Sequence, residues 1–241
     1  MRNNRFMQGI CGGLLLLSAS SIAGIAIDTT RIIFSESDNT AGKSVGVTSS
    51  DQSLTPYLVK TQILRTPYGD NGETPFVVTP SLFRLESGST NQVRIMKKNV
   101  ALPQDKESIF YFRTVAMPTR EKGLNIPQNN IDGAVQVSTG NIIKLFYRPN
   151  HLGMTQQQAM KSLKFSNVNN GVKVSNPSPY YITLDSLKIA NKSVPLSTTK
   201  GNNMIAPFGS LTYSHVQQQG SVEWKAINDY GGKDKFNAQI Q

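Results

Sequence analysis

Two adjoining stretches, residues 131–139 (IDGAVQVST) and 141–149 (NIIKLFYRP), carry the strongest pattern in this chain. In the first, apolar and polar residues alternate, which predicts an extended strand with one apolar and one polar face. The second continues the strand and ends at Pro149, which cannot donate to a β-ladder. It places Lys144 among apolar residues, whereas a strand lysine ordinarily extends its ammonium into water. The apolar positions of the alternating stretch are Ile131, Val135 and Val137.

The rest of the chain predicts an all-β protein. Short runs rich in β-branched and aromatic residues are separated by turn residues, a pattern typical of antiparallel sandwiches. The one helical signal is TQQQAMKSL at residues 155–163, where Thr155 and Gln158 have capping-box spacing. The predicted strands lie at residues 25–34, 44–49, 57–65, 76–79, 82–85, 92–97 and 108–116, and after the helix at 163–165, 172–174, 180–184, 187–190, 205–206, 211–213 and 221–227.

The first 23 residues have the composition of a secretory signal peptide. Arg2 and Arg5 precede a short apolar run, and small residues stand before Gly24. The apolar run is far shorter than the roughly 20 residues of a spanning helix. We therefore expect residues 1–23 to be a signal peptide and the protein to reach the periplasm without inserting into the membrane.

Composition narrows the class of protein further. The only cysteine, Cys11, lies in the predicted signal, so we expect no disulfide, thiol chemistry or thiolate metal site. The formal net charge of +10 favours acidic partners, although the basic residues are dispersed and an exported protein is a poor candidate for nucleic-acid binding.

No catalytic constellation is present in the sequence. His151 and His215 are separated by more than sixty positions, and no phosphate loop, GxSxG elbow or HExxH motif occurs. The acidic residues are scattered, and we expect no cofactor and no metal. The sequence thus favours a binding protein over an enzyme, although Trp224 and the tyrosines leave a carbohydrate-binding module open.

Several motifs together resemble the periplasmic chaperones of the chaperone–usher pilus pathway, the PapD-like family. The resemblance implies two immunoglobulin-like sandwiches in a boomerang arrangement, an N-terminal domain over residues 24–149 and a C-terminal domain over residues 150–241. The motifs are TRIIF at 30–34, PYLVKTQI at 56–63, IKLFYRP at 143–149, NPSPYYITL at 176–184 and INDYGG at 227–232. The long segment 117–140 resembles the long-loop branch, although the paired cysteines of that branch are missing.

The resemblance also implies roles for particular residues. Arg31 and Lys144 match the pair that anchors the terminal carboxylate of a pilin subunit. The strand before Lys144 matches the donor strand that completes the subunit's open core, where Thr139 replaces a larger apolar residue. We expect the resulting apolar face to be covered by self-association or to lack order when no subunit is bound. The donor residues are Ile131, Val135, Val137 and Thr139.

A third set implied by the resemblance lies between the domains. Glu107, Arg148 and Asp229 match a charged network that fixes the interdomain angle. The implied partners are fimbrial subunits and an outer-membrane usher. The alternative reading is an exported fimbrial structural subunit or adhesin of the same sandwich type.

Overall fold

The computed structural model describes residues 24–69, 72–119 and 137–241, and these residues form two β-sandwiches joined in sequence. The all-β, two-sandwich prediction is confirmed. The predicted signal peptide and two of the donor residues, Ile131 and Val135, lie outside the described residues. Within the described ranges, no helix has the length and apolar composition needed to cross a membrane.

The first sandwich consists of a four-stranded and a five-stranded sheet, ordered β1-β3-β7-β5 and β2-β9-β8-β4-β6. Their inner faces enclose an aromatic-rich core in which Phe76 contacts both Phe34 and Phe110 edge-on, with ring centroids 5.0 and 5.2 Å apart. The strands are β1 (Ile25–Ile27), β2 (Arg31–Ser35), β3 (Lys43–Ser49), β4 (Tyr57–Leu64), β5 (Phe76–Thr79), β6 (Leu82–Leu85), β7 (Thr90–Lys97), β8 (Ser108–Pro118) and β9 (Thr139–Arg148).

The second sandwich packs a three-stranded sheet, β10-β11-β15, against a sheet ordered β13-β12-β16-β17, with β14 also paired to β12. Trp224 is the centre of its core: the ring is 1% exposed and its indole N–H donates to the Met160 carbonyl at 3.1 Å. The elements are α1 (Gln156–Lys161), β10 (Lys164–Val168), β11 (Gly171–Ser175), β12 (Ile182–Ile189), β13 (Lys192–Ser193), β14 (Met204–Ile205), β15 (Ser210–Ser214), β16 (Ser221–Ile227) and β17 (Lys233–Gln239).

The helix prediction is confirmed in its details. Thr155 is the N-cap of α1, its hydroxyl accepts the Gln158 backbone N–H, and the Gln158 side chain accepts the N–H of Thr155. Ala159 and Met160 are the buried residues of this short helix and pack into the core of the second sandwich.

The predicted single strand over residues 25–34 was wrong, because the chain breaks at Asp28 and changes sheets. The segment before the break, β1, pairs antiparallel with β3, whereas the segment after it, β2, pairs parallel with β9. The Asp28 carboxylate accepts the Gly46 N–H at 2.8 Å, which fixes the crossing point. A Cβ at position 46 would come within 2.7 Å of that carboxylate oxygen, so a larger residue would displace the Asp28 side chain from this contact.

The strand β17 was absent from the sequence predictions. Its residues, KDKFNAQ, contain no β-branched side chain, and only Phe236 contributes a large apolar group. The Phe236 ring stacks on Trp224 at a centroid distance of 5.6 Å. Pairing with β16 and this one stacking contact therefore define a strand that the local composition does not indicate.

Candidate functional site

The strands β2, β9 and β8 bring the two predicted anchor residues side by side. Arg31 pairs with Lys144 across the parallel β2–β9 ladder, and Lys144 pairs with Tyr111 across the antiparallel β9–β8 ladder. Residues opposite each other in a sheet direct their side chains to the same face. Arg31, Lys144 and Tyr111 thus form one row on the face of the first sandwich that meets the second.

Arg31 is almost fully buried, with 7% of its surface exposed. Its Nη1 donates to the Ile227 carbonyl in the second sandwich at 3.0 Å, and its guanidinium lies 5.9 Å from the centroid of the Phe146 ring. Burial lowers the pKa of Arg31, although the negative charges of Asp229 and Glu107 act to raise it. Its Nε is buried and has no hydrogen-bond partner within the described part of the chain, so this side chain retains donor capacity.

Lys144 crosses from the first sandwich to the second. Its Nζ donates to the Thr183 hydroxyl at 3.3 Å. Burial, and then the positive charge of Arg31, lower the pKa of Lys144 to about 8. The neighbouring cations disfavour each other's charge, whereas a carboxylate placed between them would favour both.

The predicted interdomain network is present as a continuous set of ion pairs. Arg148 donates from Nε to Glu107 at 2.8 Å, and from Nη1 and Nη2 to the two Asp229 oxygens at 2.6 and 2.8 Å. Glu107 is 3% exposed, and its second oxygen accepts the Tyr181 N–H at 2.8 Å. The Tyr180 ring lies under the Arg148 guanidinium, 5.0 Å from its centroid.

The charged groups within this network shift one another's pKa values. Although burial opposes it, hydrogen bonding to Asp229 and the charge of Glu107 raise the pKa of Arg148. Burial raises the pKa of Glu107, while Arg148 and the Tyr181 N–H act in the opposite direction. One arginine thereby joins a carboxylate of the first sandwich to a carboxylate of the second.

The motif NPSPYY, residues 176–181, forms the loop that carries Tyr180 and Tyr181, the two tyrosines that contact Arg148 and Glu107. The Asn176 side chain is 1% exposed and donates to the Tyr180 and Ala206 carbonyls at 2.7 and 2.9 Å. Its oxygen accepts both the backbone N–H and the hydroxyl of Ser178. Asn176 therefore holds Tyr180 and Tyr181 against the network through contacts that sequence spacing alone does not show.

The start of β9 has one edge that β2 does not cover. β8 pairs with β9 from residue 139 to residue 147, but β2 covers the opposite side only from Lys144 onward. Alternate side chains on the core-facing side emerge progressively from the sandwich: Leu145 is 0% exposed, Ile143 is partly buried, and Val137 is 65% exposed. Thr139 is exposed, and the Asn141 side-chain amide donates to the Ile25 carbonyl at 3.1 Å. The chain thus passes from core residues at Leu145 to an exposed valine, Val137, just before the strand begins.

Two cleft residues were not singled out in the sequence. Tyr111 of β8 pairs with Lys144 of β9. Thr183 of the second sandwich accepts a hydrogen bond from Lys144 Nζ. Thr183 falls within the quoted motif NPSPYYITL, which is the only sequence signal that could have indicated it.

Comparisons with known proteins agree with this geometry. The model described as "Pili and flagellar-assembly chaperone, PapD N-terminal domain" matches residues 24–153, and "Pili assembly chaperone PapD, C-terminal domain" matches residues 158–238. The probable fimbrial chaperone protein ElfD of Escherichia coli strain K12 is 34% identical over 227 residues, which covers 91% of this chain and 90% of the relative. Chaperone protein FocC of Escherichia coli is 32% identical over 214 residues, with 88% and 87% covered.

Solved structures show the same similarity. The E. coli chaperone DraB superposes with a TM-score of 0.74 at 30% identity, over 91% of this chain and 97% of that one. The SafB chaperone of Salmonella enterica, solved in complex with SafA pilin, also gives 0.74 at 26% identity, over 92% and 98%. Fold and cleft define a two-domain assembly chaperone. The chain belongs to the PapD family of pili assembly chaperones, whose members are not enzymes.

Proposed function

We propose that this protein binds fimbrial subunits in the periplasm, stabilises them by donor-strand complementation and delivers them to an outer-membrane usher. One observation carries the proposal: the open edge of β9 ends where Arg31 and Lys144 stand side by side. An extended segment that follows this edge reaches two cations at its end. A terminal carboxylate is the group that such a pair recognises.

The same arrangement fixes the direction of the bound segment. β2 continues along the β9 edge from Lys144 onward, so an incoming strand has to stop there. If its last residue carries the carboxylate at Lys144, the strand runs toward Lys144, in the direction of β9 itself. The bound segment thus pairs parallel with β9, in line with β2, and its backbone groups complete the ladder.

The exposed apolar row supplies the second part of the proposed interaction. Val137 lies just before β9 and is 65% exposed; it has the same sequence parity as Leu145 and Ile143, which pack into the core. In the sequence, Val135 and Ile131 have the same alternation parity as Val137. We assign these residues, with Thr139 nearest the anchor, to a subunit whose own core lacks a strand.

The arginine-centred network supports a fixed domain arrangement. Arg148 makes the two-oxygen contact with Asp229 that favours one geometry over others. We assign Glu107, Arg148 and Asp229 to setting the angle between a domain of residues 24–149 and a domain of residues 150–241. This angle holds Thr183 against Lys144 and so shapes the cleft.

The remaining elements of the proposal rest on the family and on the sequence. The relatives named fimbrial chaperones, and the solved complex of a relative with a pilin, favour the chaperone over an exported structural subunit or adhesin. The apolar signal-like start supports the periplasm. We assign the usher as the recipient of the chaperone–subunit complex, and self-association as a competing fate of the free apolar row.

Recovery of subunits from the periplasm tests the proposal. Lys144→Ala is expected to abolish recovery of the subunit encoded with this chaperone, while the chaperone itself remains folded and abundant. The control is Lys60→Ala, which removes an exposed lysine from β4 of the same sheet outside the cleft. Normal subunit levels in the Lys144 variant would contradict carboxylate anchoring. Recovery of the protein within surface fibres would favour the structural-subunit alternative.

A further inference from the structure

A cavity of about 300 Å³ lies between the two sandwiches on the side of Lys144 that faces β8. Lys144 and Tyr111 line it from the first sandwich, and Met204 lines it from the second. Met204 pairs with Thr183 across β14 and β12, and Thr183 accepts the hydrogen bond from Lys144 Nζ. The Lys144 ammonium thus lies at the edge of this cavity. A carboxylate bound to Lys144 would lie next to the cavity.

Part of the cavity wall is aromatic and apolar, and much of the rest is the polar segment 198–203. Tyr68 is 75% exposed, and its hydroxyl donates to the Thr199 carbonyl at 3.4 Å, so it spans the opening from one sandwich to the other. Tyr111 forms the opposite aromatic surface, and burial raises the pKa of its hydroxyl, which keeps it neutral. Two tyrosines and a methionine are surfaces on which flat or apolar side chains pack well.

The charge around the cavity has one sign. Lys144 and Lys200 both line it, and no carboxylate is among its described lining residues. When Lys144 is engaged by a carboxylate, Lys200 remains as an uncompensated positive charge at the rim. A second cation brought into this space would be repelled, whereas a neutral side chain would not.

Resting on the function proposed above, we propose that this cavity receives the side chain of the subunit's last residue and selects a neutral aromatic or apolar residue over lysine or arginine. The carboxylate of that residue is held by Arg31 and Lys144, and its side chain enters between Tyr68 and Tyr111. Met204 closes the far end. The anchor recognises that a chain ends, and the cavity recognises which residue ends it.

Binding of synthetic strand peptides to the intact protein tests the proposal. The probes are fluorescently labelled peptides of alternating valine and threonine that differ only in the last residue, phenylalanine or lysine, each as a free acid and as an amide. Fluorescence anisotropy at low ionic strength, where charge effects are least screened, gives the affinities. We expect the phenylalanine acid to bind about tenfold more tightly than the lysine acid.

Two variants assign the preference to the cavity. Lys200→Glu is expected to strengthen binding of the lysine acid and to reduce the difference to within about threefold. Lys192→Glu makes the same charge change at an exposed position of β13 that does not line the cavity, and it should leave the preference unchanged. Tyr68→Ala should weaken the phenylalanine peptide while the ratio of acid to amide binding stays the same.

The amides separate the two proposals. If acids bind more tightly than amides, but phenylalanine and lysine peptides bind equally, carboxylate anchoring stands and the selective cavity is overturned. Equal binding of acids and amides would overturn the anchoring itself, and with it the inference that depends on it. An unchanged preference in the Lys200 variant would likewise contradict the assigned role of the cavity.

Discussion

At the scale of single residues, the charged form of Lys144 costs free energy in the free protein. Its ammonium is drawn from water and placed next to Arg31, and its only described hydrogen bond goes to the neutral Thr183 hydroxyl. Removing a cation from water without a compensating negative charge is unfavourable. Under the proposed function, a bound carboxylate would offset this cost.

This cost predicts a specific pH dependence. The pKa of Lys144 is about 8 in the folded protein and 10.5 in its ordinary state, so between these values the unfolded chain binds more protons. The free energy of unfolding should then rise with pH across this window through Lys144. We expect Lys144→Met to be more stable than the parent by about 1–3 kcal/mol at pH 7, because the buried charge is gone.

Urea unfolding at a series of pH values measures the effect. The advantage of the Lys144 variant should be complete below pH 8 and should disappear as the pH approaches 10.5. Lys60→Met, at an exposed position of β4, provides the control and should track the parent throughout. A pH-independent gain would show that packing of the methionine, and not the charge, is responsible.

At the scale of elements, β9 joins three environments in ten residues. Its end fills the core of the first sandwich, its middle carries Lys144, and its beginning, Thr139–Asn141, pairs with β8 but not with β2. Gly140 lies in this first part, opposite Val115. A Cβ there would come within 2.6 Å of the Thr114 carbonyl oxygen, so glycine allows β8 and β9 to stay paired to the end of the edge.

The donor role proposed for Val137 predicts how a charge at this position affects complex formation. Val137→Asp would place a carboxylate in an apolar groove of the partner and should weaken the chaperone–subunit complex at least tenfold. Val77→Asp is a matched control, since Val77 is a similarly exposed valine, 46% exposed, on β5 of the other sheet. Co-purification of the subunit with each variant measures the result. Undiminished recovery with Val137→Asp would contradict the donor role of this row.

Elements also show how far the sequence alone could lead. Alternation and turn residues predicted most strands, and the capping box predicted α1, because these signals act between residues near in sequence. The break at Asp28 depends on a hydrogen bond to Gly46, and β17 depends on pairing with β16. The contact between Lys144 and Thr183 requires both domains to be placed. Such long-range contacts leave no periodic signal in the chain.

At the scale of the whole molecule, the relation between the sandwiches depends on a small number of polar contacts. Arg148 bridges Glu107 and Asp229, and the Glu107 backbone N–H donates to the Pro179 carbonyl at 2.9 Å. These contacts are directional. The network thus contributes more to the relative orientation of the two sandwiches than to the free energy that holds them together.

Removing the central arginine should show this dependence. Arg148→Ala leaves the buried Glu107 carboxylate without its charged partner, and we expect a loss of about 3–5 kcal/mol in the free energy of unfolding. Lys235→Ala breaks the exposed pair with Glu223 and should leave stability nearly unchanged. Chemical unfolding followed by Trp224 fluorescence, together with small-angle scattering of the folded state, separates lost stability from a changed domain angle. Equal effects of the two variants would contradict a structural role for the network.

Under the proposed function, the position of β2 in line with the open edge of β9 would set the register of a bound strand. Because a strand that ends at Lys144 cannot slide past β2, each of its residues is numbered from its own terminus. Side chains alternate between faces, so one residue added to that terminus reverses the parity of the strand and turns every inward side chain outward. Adding two restores the parity but moves each side chain one socket along. A partner with an odd extension should be rejected, while one with an even extension should bind in a shifted frame.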